Sequence, residues 1–385
     1  MKIVHLSTGH LGGAGLAARR LSAGLGSIGV NSTFVALSHP SYLPFENELQ
    51  ISRNVPQRVS SGFSTLTSKK WTGTSLVTPI STDVIDRDFL ANLSSHDETI
   101  FHIHNWFNIF SQYKLAKLSK DFNFVFTLHD QRLFTGACHY SLECTKYQDN
   151  CVRCPQLPKF VNNYPSRVYN AEMDFSQVFF ISPSHWLFEK ARSSKMLRGS
   201  TGRVIPNSFF GYESIVTERT GVDPAINVGF AAMDPRAWIK GGDIVSALRQ
   251  SETTEKKFKF LNFSDFKNHR EFWQSIDVLL VPSRADNSPN VIHEAKLWGV
   301  PVISSAVGGI PEILNNRFDG IIDVATVSLP EIKCEIQRVF ENSRSFDLRL
   351  EISEDHKIAL DSSLQSHKNF YEELLNNRAF IGEKT

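Results

Sequence analysis

The stretch Val281-Pro-Ser-Arg-Ala-Asp-Asn-Ser-Pro-Asn-Val-Ile-His-Glu-Ala-Lys-Leu-Trp-Gly-Val-Pro-Val-Ile-Ser-Ser-Ala-Val-Gly-Gly-Ile-Pro-Glu-Ile313 decides the fold. Val278 to Ser283 reads as a buried strand, and Pro289 is placed for the first turn of the helix that follows. Val300 to Ser305 is a second apolar strand, so strand, helix and strand form a βαβ unit in a parallel sheet. Asp286, Asn287 and Ser288 lie in the loop before the helix. Backbone N–H groups there point outward with the helix dipole behind them, which suits a phosphate or a sugar hydroxyl. Glu294, farther into the helix, can accept two hydrogen bonds from a vicinal diol such as a ribose. Gly308 and Gly309 open another helix after the second strand and make a second anion nest. An Asp and a Glu eight residues apart are, taken alone, more often solvated surface charges; the combination with the strands, Pro289 and the Gly-Gly-x-Pro-Glu turn is much harder to obtain by accident.

The alternation extends toward the N-terminus. Asn227 to Ala232 and Lys257 to Phe263 are further strands of this series, preceded by a polar segment over 209–224. Before it comes an independent series: Lys2 to Thr8, Ser32 to Leu37, Thr99 to His104, Asn123 to His129, Val178 to Ser184 and Arg203 to Asn207. A glycine-rich turn containing Gly12 and Gly13 separates the first of these from a helical pattern, after which Ser32 to Leu37 restores strand character. About 40–80 is rich in Ser, Pro and Thr and reads as an irregular excursion. Two successive series predict two Rossmann-like α/β domains facing each other across a cleft. The first covers residues 1–210 and the second residues 220–358, with a terminal helix from about 360 packing back on the first.

At 385 residues, with 41% hydrophobic and 21% charged side chains, the chain is an ordinary globular protein of about two domains. Forty-one basic against 40 acidic residues leave a formal charge of +1, which supplies no field for a polyanion and argues against nucleic acid as a partner. No apolar stretch approaches the length of a membrane span. A cytoplasmic protein is expected, with peripheral membrane contact at most.

Asp286-Asn-Ser-Pro-Asn-Val-Ile-His-Glu294 resembles the acidic-x7-Glu motif of retaining glycosyltransferase family four, which has the GT-B fold. Phe126-Thr-Leu-His-Asp130, Phe134-Thr-Gly-Ala-Cys-His-Tyr140, Cys154-Pro-Gln-Leu157, Pro183-Ser-His-Trp-Leu187 and Ile205-Pro-Asn207 resemble, in the same order, the branch of colanic-acid and O-antigen transferases. The resemblance implies transfer of a sugar, with retention, from a UDP- or GDP-linked donor to a hydroxyl of a glycan or glycolipid acceptor, a lipid-linked surface polysaccharide precursor. No catalytic metal follows from it. It implies that Glu294 holds the ribose, that Asp286 and the backbone of Asn287, Ser288, Pro289, Asn290 and Val291 contact the sugar and diphosphate, that Lys240 neutralises the diphosphate, and that His129 lies beside the donor sugar. Gly12 and Gly13 match the family's first glycine-rich loop. Where relatives often carry an Arg after the first strand of the second domain, this chain has Gly229-Phe-Ala231, and Arg236 is the substitute cation. Only one strand fits between Lys240 and Val278, where relatives have room for two βα units, so the second domain is shortened. A nucleotide-sugar 2-epimerase and a non-catalytic glycan- or nucleotide-binding descendant are the alternatives.

Cys138, Cys144, Cys151 and Cys154 are spaced C-x5-C-x6-C-x2-C. Four thiolates could close a structural zinc site; reduced buried thiols and disulfides are the other two readings. Asp86-Arg-Asp88 has the form of an Asp-x-Asp metal site but is placed as a helix cap. Trp106, Phe107 and Phe110 are either an acceptor or membrane-facing patch or simply core.

Overall fold

The computed structural model describes residues 1–37, 47–52, 83–94, 98–169, 175, 177–217, 225–252, 257–315 and 317–382. The chain divides into two compact units, residues 1–211 with 363–385, and residues 212–362.

Among the described residues, the first unit holds a wholly parallel sheet in the order β3-β2-β1-β4-β5-β6-β7. Its strands are β1 (Lys2–Ser7), β2 (Asn31–Leu37), β3 (Glu48–Ile51), β4 (Thr99–Asn105), β5 (Asn123–Thr127), β6 (Phe179–Ser182) and β7 (Gly202–Val204). Helices cover both faces of such a sheet, so its central strands are buried on both sides: Phe124, Val125 and Phe126 of β5 are all buried, and so are His5 of β1 and His102 and His104 of β4. Strand order reverses between β1 and β4. Their carboxyl ends therefore diverge into separate loops, the usual place for a ligand crevice in an open α/β sheet. The terminal helix Ser363–Gly382 belongs to this unit, where Phe370, Tyr371 and Leu374 pack with Ile3, Ile100, Val125 and Ile181.

The second unit has the order β12-β11-β10-β8-β9, again all parallel. Its strands are β8 (Ile226–Phe230), β9 (Phe258–Asn262), β10 (Val278–Val281), β11 (Val302–Ser305) and β12 (Gly320–Ile322). Order reverses between β8 and β10, which puts the loops after these two strands side by side. One strand, β9, lies between the Lys240 segment and β10, as the sequence spacing implied.

Several expectations change in detail. The excursion read over 40–80 contains strand β3, whose Glu-Leu-Gln-Ile pairs with Phe34 to Leu37; the remainder of that stretch lies outside the described residues, apart from Asn47 and Ser52. Strand β12 was not foreseen, because three residues beginning with Gly give too little pattern. Pro289 stands one residue before the helix Asn290–Leu297 as its N-cap rather than in its first turn. Gly308 and Gly309 precede only a single 3-10 turn, Ile310–Glu312. Asp86 caps the helix Arg87–Leu93, accepting the Phe89 N–H at 2.9 Å. Phe110 is wholly buried, with Trp106 packed against the same core.

Candidate functional site

In the second unit, the loop after β10 is drawn inward. Asp286, Asn287, Ser288 and Glu294 are 6%, 3%, 9% and 6% exposed, so the reading of Asp286 and Glu294 as solvated charges fails. The neighbouring loop explains why. Gly308 adopts φ +62°, and a side chain there would collide with the Asp286 carbonyl; only glycine lets the loops after β10 and β11 touch.

Asp286 Oδ1 accepts the Asn287 N–H at 3.0 Å, and Oδ2 accepts from Lys240 Nζ at 2.6 Å. Lys240 ends the turn Trp238–Lys240, and Gly241 at φ +75° lets the chain pass against the Pro282 carbonyl and enter the helix Gly242–Gln250. Arg284, two residues beyond Pro282, fastens the same segment. Its guanidinium gives Asp243 two bonds of 2.7 Å and the Trp238 carbonyl one of 2.6 Å, and it lies over the Trp238 ring at 4.6 Å. Its backbone N–H donates to the Ile239 carbonyl at 2.8 Å. The cation at position 240 is thereby held from both sides. Arg236 on the same segment is 91% exposed in its side chain and lies 3.6 Å from Asp234.

The helix Asn290–Leu297 rests on satisfied polar groups. Ser288 Oγ lies 2.9 Å from His293 Nε2, and His293 Nδ1 lies 3.0 Å from His356 Nε2. Burial, then the charges of His356 and Lys296, holds His293 far below the usual histidine range; burial and Lys296 push His356 down to about 3. Lys296 Nζ sits 2.6 Å from Asp319 Oδ2 in a fully buried pair, and Asp319 also accepts N–H groups from Val302 and Asn315. Glu294 Oε2 is 3.9 Å from Nδ1 of His269, the half-exposed first residue of the helix His269–Ser275.

In the first unit, Gly12 begins the helix Gly12–Ser27 with φ +77°, followed by Gly13. His129 stands two residues past β5. A cavity of about 260 Å³ is lined there by His104, Asn105, Trp106, His129, Asp130 and Arg132, among others. Asp130 accepts the Arg132 backbone N–H and its Nε at 2.8 Å each. Burial alone would raise the Asp130 carboxyl, but the Arg132 charge, with His139 and the Arg132 hydrogen bonds, holds it below the carboxylate range. Arg132 also lies over the Phe107 ring at 5.3 Å. Burial pushes His129 down to about 4, with Asp130 opposing and Arg132 adding.

Cys138, Cys144, Cys151 and Cys154 line one cavity of about 360 Å³, and no disulfide joins them. Burial pushes Cys138 up to about 12 and Cys151 up to about 11, and the neighbouring sulfurs act the same way. Hydrogen bonds from the backbone of Gly136 to Cys151, and of Gln156 and Leu157 to Cys154, favour the thiolates instead. Among the described residues, the one group of three or more metal-ligating side chains whose donor atoms lie within 4.8 Å of one another is His5, His102 and His104. The cysteine sulfurs are therefore more widely spread than in a closed tetrahedral site.

Sequence reasoning overlooked Arg284, His269, Arg132 and His104. Only His104 had a visible signal: Phe101-His-Ile-His104 puts two histidines on one face of an otherwise apolar strand.

Residues 225–342 match the family described as glycosyl transferases group 1. Among curated proteins, WcaC of Escherichia coli K12, named as a colanic acid biosynthesis glycosyl transferase, is 24% identical over 360 residues, covering 76% of this chain and 82% of its own. Among solved structures, sucrose-phosphate synthase from Thermosynechococcus elongatus matches with a TM-score of 0.62 at 13% identity, over 98% of this chain and all of the other. Anabaena Alr3699/HepE, solved in complex with UDP and glucose, matches with a TM-score of 0.58 at 14% identity, over 97% and 99%. The chain thus has the GT-B fold, and its residues 225–342 are a glycosyl transferases group 1 domain.

Proposed function

We propose that this chain is a retaining glycosyltransferase that moves a sugar from a UDP- or GDP-linked donor to a hydroxyl of a lipid-linked surface polysaccharide precursor. The observation that carries the reading is the buried Asp286 holding Lys240 at 2.6 Å, at the start of the helix that bears Glu294. Within a few residues this offers a fixed cation, a helix N-terminus and a buried carboxylate, the groups that a diphosphate and its ribose require.

Glu294 accepts from the ribose hydroxyls. Lys240 faces the diphosphate, with Arg236 as a second cation, and the loop and helix start over Asn287, Ser288, Pro289, Asn290 and Val291 contact the sugar and the diphosphate. Asp286 keeps Lys240 aimed and accepts from a sugar hydroxyl. As the C1–O bond to the diphosphate breaks, negative charge grows on the leaving oxygen, and a preorganised cation there lowers the barrier. The acceptor oxygen bonds to C1 on the same face, and its proton passes to the departing phosphate oxygen. Gly12 and Gly13 give a close backbone approach in the first unit, and His129 hydrogen-bonds the transferred sugar. The name of WcaC and the UDP and glucose in the Anabaena structure support this choice of acceptor and donor class. Among the described residues no helix is long and apolar enough to cross a membrane, and the lipid of the acceptor is met by peripheral contact.

Thermal stabilisation across a panel of nucleotide sugars, followed by product analysis, tests the reading. Stabilisation by UDP- or GDP-sugars and transfer to a glycan support it. An epimerised sugar still attached to its nucleotide would make the protein a 2-epimerase, and binding without transfer would make it a binding protein.

A structural zinc held by Cys138, Cys144, Cys151 and Cys154 is part of the same proposal. Four sulfurs on one cavity are the donor set zinc prefers. Bonds from backbone groups to Cys151 and Cys154 stabilise thiolates that burial alone would disfavour; the ion would draw the loop tighter than it stands.

A further inference from the structure

Three histidines on three adjacent strands and their exits form a hydrogen-bonded string. His5 Nδ1 on β1 lies 3.0 Å from His104 Nε2 on β4, and His104 Nδ1 lies 3.3 Å from His129 Nε2 beyond β5. His5 and His104 are buried, and His129 is half-buried at the cavity. His102 packs its ring against His104 at 4.1 Å between centroids but does not bond to the string: its nitrogens lie 2.7 Å from Tyr371 OH and 2.7 Å from Thr127 Oγ1. Both nitrogens of His102 and of His104 are thus already engaged, which favours a hydrogen-bonded network over a metal at this cluster.

The protons of the string can be counted. Burial is the main force holding all three rings neutral: His5 is pushed to about 3, His129 to about 4, and His104 well below its usual range. A neutral imidazole carries one N–H, so three protons serve two bridges and one of the two ends. One end is His5 Nε2, buried and without a hydrogen-bond partner among the described residues. The other is His129 Nδ1. An orphaned buried N–H is rarer and less tolerable than an orphaned acceptor. The proton therefore belongs at the His129 end, His5 Nε2 remains a bare lone pair, and both bridges donate toward His129.

We propose that His5 and His104 are positioning residues that lock His129 in its Nδ1–H tautomer, presenting a fixed N–H donor to an oxygen of the bound sugar. This rests on the reading of His129 as a sugar contact, but the tautomer itself is independent of any ligand. A hydrogen bond to one ring nitrogen decides which nitrogen keeps the proton; here His104 Nδ1–H occupies His129 Nε2, and the reverse placement would strand an N–H at the buried His5 Nε2. The string also explains why His5 and His104 occupy an apolar sheet, where an unpaired imidazole would be unfavourable.

The test is a long-range 1H–15N spectrum of the full chain labelled with 15N-histidine, with the His129 signals identified by their absence in His129→Asn. The wild-type protein at pH 7 is expected to show His129 as the Nδ1–H form. His104→Phe is expected to release it to a mixture or to the Nε2–H form and to lower kcat about tenfold with KM changed less than threefold. His104→Asn, whose amide can replace the Nδ1–H donor, is expected to restore most of both. An Nε2–H form of His129 in wild type overturns the proposal, and so does an unchanged tautomer in folded His104→Phe. An Nδ1–H form that depends on His104, together with unaltered transfer by His129→Asn, would leave the string standing and remove the sugar contact instead.

Discussion

Lys240 Nζ lies 2.6 Å from Asp286 Oδ2, joining the turn after β8 to the loop after β10. The pair is asymmetric, since the aspartate side chain is 9% exposed while the lysine is 33% exposed. A half-exposed cation fixed by a buried carboxylate can still reach an incoming anion, whereas a fully enclosed pair cannot.

Lys240→Ala should lower kcat/KM by about 10²- to 10³-fold, since it removes a charge that matters most as the diphosphate leaves. Circular dichroism should show an unchanged fold. Steady-state kinetics with the donor found by screening make the check, and a loss below threefold would remove Lys240 from the site.

Lys296, on the helix Asn290–Leu297, and Asp319 provide the contrasting case at the same 2.6 Å separation, both buried. Asp319→Ala should destabilise the fold by about 3–5 kcal/mol, because it strands a buried ammonium and orphans the Val302 and Asn315 N–H groups. Urea unfolding gives the value. A change below 1 kcal/mol would show that the lysine finds another partner.

Arg284→Ala should raise KM for the donor about tenfold and leave the fold intact, because the Trp238–Lys240 turn loses its clamp while Lys240 itself remains. Arg284→Lys, which cannot form the paired bonds to Asp243, should rescue little. Equal recovery in both variants would deny the clamp its role.

His5, His356 and His367 are buried and pushed by burial to about 3, 3 and 4. Their folded values lie below the unfolded value of about 6.5, so the unfolded chain takes up protons first as pH falls. Their stabilising effect is complete above about pH 6.5 and is lost progressively toward the folded values, at up to about 1.4 kcal/mol per pH unit for each group. Urea midpoints should therefore drop between pH 6.5 and 4.5, before ordinary carboxylates titrate. A flat profile across that window would contradict the neutral assignment.

The fold was readable because buried parallel strands are continuous apolar runs, and Phe124 to Phe126 or Val278 to Val281 cannot be mistaken for polar loops. The short edge strands Glu48–Ile51 and Gly320–Ile322 escaped because neither is apolar on both faces or long enough to show a period. In the candidate site, Asp286 and Glu294 were legible through spacing along the chain, and Lys240 only through the family resemblance. Arg284 and His269 were not, since their partners Asp243 and Glu294 lie 41 and 25 positions away and meet them only after the sheet of the second unit forms. The burial of Asp286 was equally hidden, as it depends on the conformation of Gly308.

Elemental analysis of protein purified without chelator addresses the cysteine loop. About one zinc per chain is expected, falling toward zero in Cys151→Ser with a lower Tm. Well under one zinc in the wild type would leave four reduced thiols around the cavity.

The most direct test of the central claim is calorimetric titration of UDP and GDP into the wild-type chain and into folded Glu294→Ala. Saturable binding of one nucleoside diphosphate, weakened at least tenfold when the carboxylate of Glu294 is removed, is the predicted result. Absence of binding by both nucleotides, or equal affinity in the two proteins, would contradict it.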